Sequence, residues 1–296
     1  MPIERGVDKR SIAVVGLGTM GSALAAALLA RGYSVTVWNR TAAKASALVE
    51  QGAKLARDVA EAARLSQAMI ICLADHSVIQ SVVHNDAVAR ALKDKCLIQL
   101  GVVTPAEALE NADWAKSRGI GYLEGSILGV PDYIAAGAAT IVCSGPPERY
   151  AEHKPILKVF GAAYHLSSAI GAAYQVDKLF YPFGYGVTLG FIQGAAMAKA
   201  SGYSLEAYTN ILVGWTKLLA DRLSNYGALL GEENYSVYQG TLEIWRNAYA
   251  NVLESCQSLG VDDTLPKTHM AMMGKGIDAG YGDEEILALF KTLLPK

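Results

Sequence analysis

The stretch SIAVVGLGTMG, residues 11–21, limits the fold of this chain more than any other. A short apolar run leads into Gly16-Leu17-Gly18-Thr19-Met20-Gly21, a G-x-G-x-x-G pattern, and the following SALAAALLARG is helix-forming. A strand that enters a glycine turn opening a helix is the geometry that binds a dinucleotide. Gly16 permits the tight turn, Gly18 lets pyrophosphate approach the backbone, and Gly21 allows close helix–sheet packing, with the helix N-terminus facing the phosphates. A second strand-like run, SVTVW, follows the helix, so the glycines sit in the βαβ context that the pattern requires.

The tip of that second strand decides which dinucleotide. A site for NAD places a carboxylate there, about 20 residues on, to hold the ribose 2′-hydroxyl. This chain has Asn39-Arg40-Thr41 instead. No carboxylate repels a 2′-phosphate, and the planar guanidinium of Arg40 suits one, with Thr41 and Lys44 close in sequence. NADPH is therefore the expected cofactor; otherwise Arg40 is a solvated surface charge. Leu73 and Ala74, at the end of the apolar run AMIICLA, complete the expected cofactor-binding set of Gly16, Leu17, Gly18, Thr19, Met20, Asn39, Arg40, Thr41 and Lys44.

From Ser11 to about Cys143, short apolar runs alternate with helix-like stretches, which predicts an α/β domain: a parallel sheet with helices on both faces. Helix starts are marked by Asp58 with Glu61 three residues on, and by Thr104-Pro105-Ala106-Glu107, a capping box with proline at the first helical position. The segment around Ala162 to Ser168 reads as a linker. Residues 171–201 are then almost uncharged, with small and aromatic residues all round, the pattern of a helix buried on every side. Such a helix would be ~45 Å long and needs a partner surface, and Pro182 is expected to kink or break it. Beyond residue 201 the chain reads as helices only. The expected organisation is an N-terminal Rossmann domain (1–165), a long interdomain helix (166–201) and an all-α C-terminal dimerisation domain (202–296).

At 296 residues the chain has room for one large core or two ordinary ones. Its formal charge of −2 and lack of a basic block argue against nucleic acid and favour a small-molecule ligand. Cys72, Cys96, Cys143 and Cys256 are too widely spaced for a metal site and read as reduced thiols. The charged start, MPIERGVDKRS, predicts no signal peptide, and no apolar run reaches the ~18 residues of a membrane span, so a cytoplasmic protein without a membrane partner is expected.

A hydride donor needs an acceptor and usually a proton. Within the uncharged helix the ionisable pair is Asp177 and Lys178, in GAAYQVDKLFYPFGYG. At this point the chain resembles the NADPH-dependent imine reductases and reductive aminases, relatives of the β-hydroxyacid dehydrogenases. The resemblance spans nearly the whole chain, through GLGTMGSALAAALLARGYSVTVWNRTAAKA, TPAEALENADWAKSRGIGYLEGSILGVP, GAAYQVDKLF and GVDDTLPKTHMAMMGKGIDAGYGDEE. In the dehydrogenases a glycine is followed six residues later by the catalytic lysine, with asparagine four further on. Counted from Gly171, those positions hold Asp177 and Tyr181, and moving the frame to Lys178 meets Pro182 instead of asparagine. The dehydrogenases' serine-and-double-glycine substrate loop is also missing, since the segment reads GSILGVP.

The resemblance implies that Asp177 stands where imine reductases carry Asp or Tyr. An imine accepts hydride well only once protonated, and a carboxylate either stabilises that cation or, with its pKa raised by burial, delivers the proton. The bland alternative is a helix-surface charge beside Lys178. Tyr185, two turns beyond, is implied as a second catalytic residue, and Tyr181, Val102, Trp215 and Gln239 as the substrate pocket, with homodimers sharing active sites. Val102 departs from the family, whose turn has asparagine there, and a valine offers an amine no hydrogen bond. The other readings are a β-hydroxyacid dehydrogenase using Lys178 and a non-catalytic NADP-binding protein.

Overall fold

In the computed structural model, which describes residues 10–295, the chain divides into two compact units between Tyr181 and Pro182. The N-terminal stretch read for a signal peptide lies, but for Arg10 and Ser11, outside the described residues. The N-terminal unit is built on β1 (Ser11–Val15), β2 (Ser34–Trp38), β3 (Lys54–Leu55), β4 (Ala68–Ile71), β5 (Cys96–Gln99), β6 (Gly121–Leu128), β7 (Ala139–Ser144) and β8 (Gly161–Ser167). They form one sheet in the order β3-β2-β1-β4-β5-β6-β7-β8. The first six strands run parallel, β7 is antiparallel to β6, and β8 is parallel to β7. The chain reverses direction across the sheet between β1 and β4, which opens a crevice at their carboxyl ends.

Eight helices belong to this unit: α1 (Thr19–Ala30), α2 (Ser46–Glu50), α3 (Val59–Arg64), α4 (His76–Val83), α5 (Asp86–Leu92), α6 (Pro105–Ser117), α7 (Pro131–Ala136) and α8 (Pro147–Leu157). Strand side chains alternate between faces, so Ile12 and Val14 join Leu24 and Leu28 of α1 in one core, while Ala13 and Val15 join Ile79, Val83 and Leu92 in the other. The start signals act as expected. Asp58 accepts from the Glu61 N–H, and Thr104 and Glu107 form the reciprocal box at α6. Residues 162–168 are no linker: 161–167 form the edge strand β8, whose side chains alternate in exposure. Small residues, a polar tip at His165 and one solvated face disguise an edge strand as a connection.

The helix α9 (Val176–Ala200) carries the chain across the boundary, and α10 (Leu205–Gly231), α11 (Leu242–Leu259), α12 (Thr264–Asp278) and α13 (Leu289–Leu293) complete the C-terminal unit. The helix starts at Val176 rather than Gly171, after a 3-10 turn at Ala173–Gln175, and it continues through Pro182 without a break. Helix α12 falls in the stretch that reads as helical, and its Pro266 lies in the first turn, where a missing N–H costs nothing. Helices α9 and α10 approach closely at Gly194, where a Cβ would lie 2.1 Å from the Tyr208 hydroxyl. The loop before α11 is held by Glu285, fully buried, whose Oε2 accepts from the N–H groups of Tyr238 and Gln239 at 2.7 Å each. No helix of the described residues is long and apolar enough to cross a membrane.

Candidate active site

The glycine turn has the construction the spacing predicts. Gly16 sits at φ +96°, and a Cβ there would lie 2.3 Å from the Cys72 carbonyl oxygen; a Cβ on Gly21 would lie 1.9 Å from that of Gly16. Both positions accept only glycine. Gly18 differs, because a Cβ there would meet nothing within 4 Å. Open space therefore lies against its backbone, at the N-terminus of a helix that no side chain caps. The first N–H groups of α1 are left for an anionic ligand, which fits a pyrophosphate. Leu17 is buried, and its N–H donates to Asn39 Oδ1 at 3.0 Å. Asn39 Nδ2 in turn donates to the Thr41 carbonyl, so Asn39 ties the turn to the tip of β2.

Two adjoining clefts flank this turn, sharing Gly18, Cys72, Leu73 and Ala74 in their walls. One, of ≈ 320 Å³, takes in Gly16, Trp38, Asn39, Arg40, Thr41 and Lys44. Arg40, Thr41 and Lys44 are exposed, and among the described residues neither cation has an acidic partner. A pair of available cations at the strand tip is what a 2′-phosphate requires. The other cleft, of ≈ 430 Å³, continues past Thr19 and Met20 to Val102, Ser126 and Tyr174. Val102 is 75% exposed and lends the cleft an apolar lip. Burial pushes the Cys72 thiol up to about 11, so it lines both clefts as a neutral group.

All eleven expected cofactor residues thus gather around one continuous pair of clefts, or brace it. Sequence reasoning missed Trp38, Ser126 and Tyr174. No pattern of side chains in the sequence announces the last two, because their partners are backbone carbonyls. Glu124 and Ser126 share a face of β6, and both reach the segment leading into α9. The Ser126 hydroxyl donates to the Ala173 carbonyl at 2.9 Å, and Glu124 Oε1 accepts from the Gly171 N–H. Tyr174, buried, donates to the Gln99 carbonyl at 3.1 Å. Burial, opposed by backbone N–H donors, lifts the Glu124 carboxyl to about 7.

Asp177 lies in the first turn of α9, but its side chain is outside the described set. Lys178 is exposed, as are Tyr181 and Tyr185. Tyr185 belongs to the C-terminal unit, as do Trp215 and Gln239. Trp215 lines an apolar groove of ≈ 640 Å³ between α9 and α10. Gln239 is exposed in the loop that Glu285 holds.

The NAD binding domain of 6-phosphogluconate dehydrogenase matches residues 11–171, and the C-terminal domain described as NADPH-dependent reductive aminase-like matches residues 170–294. The NADPH-dependent reductive aminase of Aspergillus oryzae is 30% identical over 286 residues, 95% of this chain and 96% of that protein. Among solved structures, the imine reductase from Myxococcus stipitatus in complex with NADP+ is 28% identical with a TM-score of 0.79, covering 96% of this chain and all of that one. The reductive aminase from Aspergillus terreus in complex with NADPH and ethyl levulinate is 29% identical with a TM-score of 0.79, covering 96% and 99% of the two chains.

Proposed function

This chain belongs to the NADPH-dependent reductive aminase and imine reductase family, and we propose that it reduces cyclic C=N compounds to amines with Asp177 as proton donor or iminium stabiliser. It is an oxidoreductase, and NADPH, when bound, supplies the hydride. The observation that carries the finer reading is the residue at position 177. A group that stabilises alkoxide, such as lysine, serves alcohol chemistry, whereas a carboxylate serves a nitrogen that becomes cationic. Lys178, the remaining candidate for the dehydrogenase reaction, is exposed on the adjacent position of α9, about 100° around the helix.

In this reading the protein's own groups position and exclude. The uncapped start of α1 and the cations Arg40 and Lys44 hold the phosphates of the cofactor. Val102 and Tyr181 present apolar or aromatic surface to the substrate. Val102 offers an amine no hydrogen bond, which favours preformed cyclic imines over capture of a free amine by a ketone. The four cysteines are free thiols, which supports action in the cytoplasm. Addition of a 1-pyrroline-type imine is expected to drive NADPH oxidation, while 3-hydroxy acids drive no NADP+ reduction; the opposite pattern would overturn the reading.

The same family reading includes a homodimer with shared active sites. Its support in this chain is the number of large apolar side chains that α9 and α10 leave exposed in the C-terminal unit, Leu189, Phe191, Ile192, Ile211 and Val213 among them. Exposed apolar surface on this scale is characteristic of an interface. Sedimentation at micromolar concentration is expected to show a dimer, and a folded, active monomer would refute it.

A further inference from the structure

The lead-in to α9 is gripped at several points by the sheet and by α6. Gly171 stands at φ +94°, and a Cβ there would lie 3.0 Å from Pro105 Cβ at the start of α6. Its N–H donates to Glu124 Oε1. Two residues along the same strand, Ser126 takes the Ala173 carbonyl. Glu124 is fully buried, its Oε2 has no hydrogen-bond partner, and among the described residues no cation faces it; its titratable neighbours are Tyr122 on its own strand, Cys143 on β7 and Tyr174 in the lead-in. A buried carboxyl without a cation is an expensive way to fill a core position. What it does here is fix the Gly171 N–H, six residues before Asp177, beside the Ala173 carbonyl that Ser126 holds.

We propose that Glu124 is the positioning residue for Asp177: anchored on β6, next to Gly125 and Ser126 in the wall of the larger cleft, it sets where the first turn of α9 begins and so where the residue at 177 stands. This rests on the reading of Asp177 as the group that serves the imine nitrogen. Glu124 touches neither substrate nor cofactor in this scheme. It converts the rigidity of the sheet into the position of one backbone turn, and a displacement of about 1 Å at such a point is enough for a 10²-fold loss of rate.

The test is a double-mutant cycle with the purified, full-length protein, reading kcat, imine KM and NADPH Kd. Glu124→Ala is expected to lower kcat about 10-fold or more while NADPH Kd stays within about 2-fold. Glu124→Gln keeps the shape and an acceptor oxygen, and is expected to retain kcat within about 3-fold; it also guards against Glu124→Ala failing to fold. In the Asp177→Ala background the further loss from Glu124→Ala is expected to shrink to about 2-fold or less, since there is no group left to position. Equal losses from Glu124→Ala in both backgrounds, with Asp177→Ala itself strongly impaired, would overturn the positioning role alone. An Asp177→Ala variant of full activity would overturn both that role and the proton-donor reading.

Discussion

Asp177→Ala is expected to lower kcat by about 100-fold or more, the size of a lost general acid–base contribution, and to leave NADPH affinity nearly intact. Hydride addition to the C=N carbon leaves an electron pair on nitrogen, which must be met by a proton before or during transfer. A carboxyl at 177 meets it in either form, as the acid that donates or the anion that holds an iminium. Lys178→Ala is expected to do much less, because Lys178 is exposed and lies on an adjacent helical position. The hydroxyacid reaction demands the reverse order of damage. Steady-state kinetics of the two variants, measured side by side with one imine, separate the mechanisms. Near-normal turnover by Asp177→Ala would move the proton's source to Tyr185, Tyr181 or water.

The second large effect concerns the cofactor. Arg40→Ala is expected to weaken NADPH binding by about 1–3 kcal/mol, roughly 5- to 150-fold, the value of hydrogen bonds to a charged group. NADH has no 2′-phosphate and is expected to bind the variant as it binds the unaltered protein. The change therefore narrows the preference by lowering one affinity rather than raising the other. The structure supports a specific reason: the Asn39 amide at the strand tip is engaged with Leu17 and Thr41, whereas Arg40 and Lys44 are exposed cations in the same cleft. Titration of both nucleotides against both proteins checks it, and equal kcat/KM for NADH and NADPH in the unaltered protein would contradict it.

Much of this was legible in the sequence because strong local chemistry coincided with period. The glycines at 16 and 21 are dictated by backbone oxygens less than 2.5 Å from where a Cβ would be, and such positions leave a mark in any sequence that folds this way. The Thr104 box and the Asp58 cap are likewise local. What was not legible is set by tertiary contact. Helix α9 starts five residues after its apolar pattern does because Gly171 gives its N–H to Glu124, 47 residues away in sequence, and the Ala173 carbonyl accepts from Ser126. Edge strand β8 has half its side chains exposed and so lacks the apolar run of an inner strand. Pro182 did not interrupt α9, since neighbouring turns hold the helix where one N–H is missing. The site was legible where it follows the glycine motif. Ser126 and Tyr174 were not, because their partners are backbone carbonyls that no pattern of side chains announces.

The most direct measurement is a crystal structure of the protein with NADP+ and a cyclic amine. The expected result is the Asp177 carboxylate opposite the nicotinamide, within about 2.6–3.2 Å of the amine nitrogen, with Lys178 turned away from the cleft. Lys178 at that nitrogen, or Asp177 in bulk solvent with no contact to the amine, would contradict the assignment of an imine-reducing site built around residue 177.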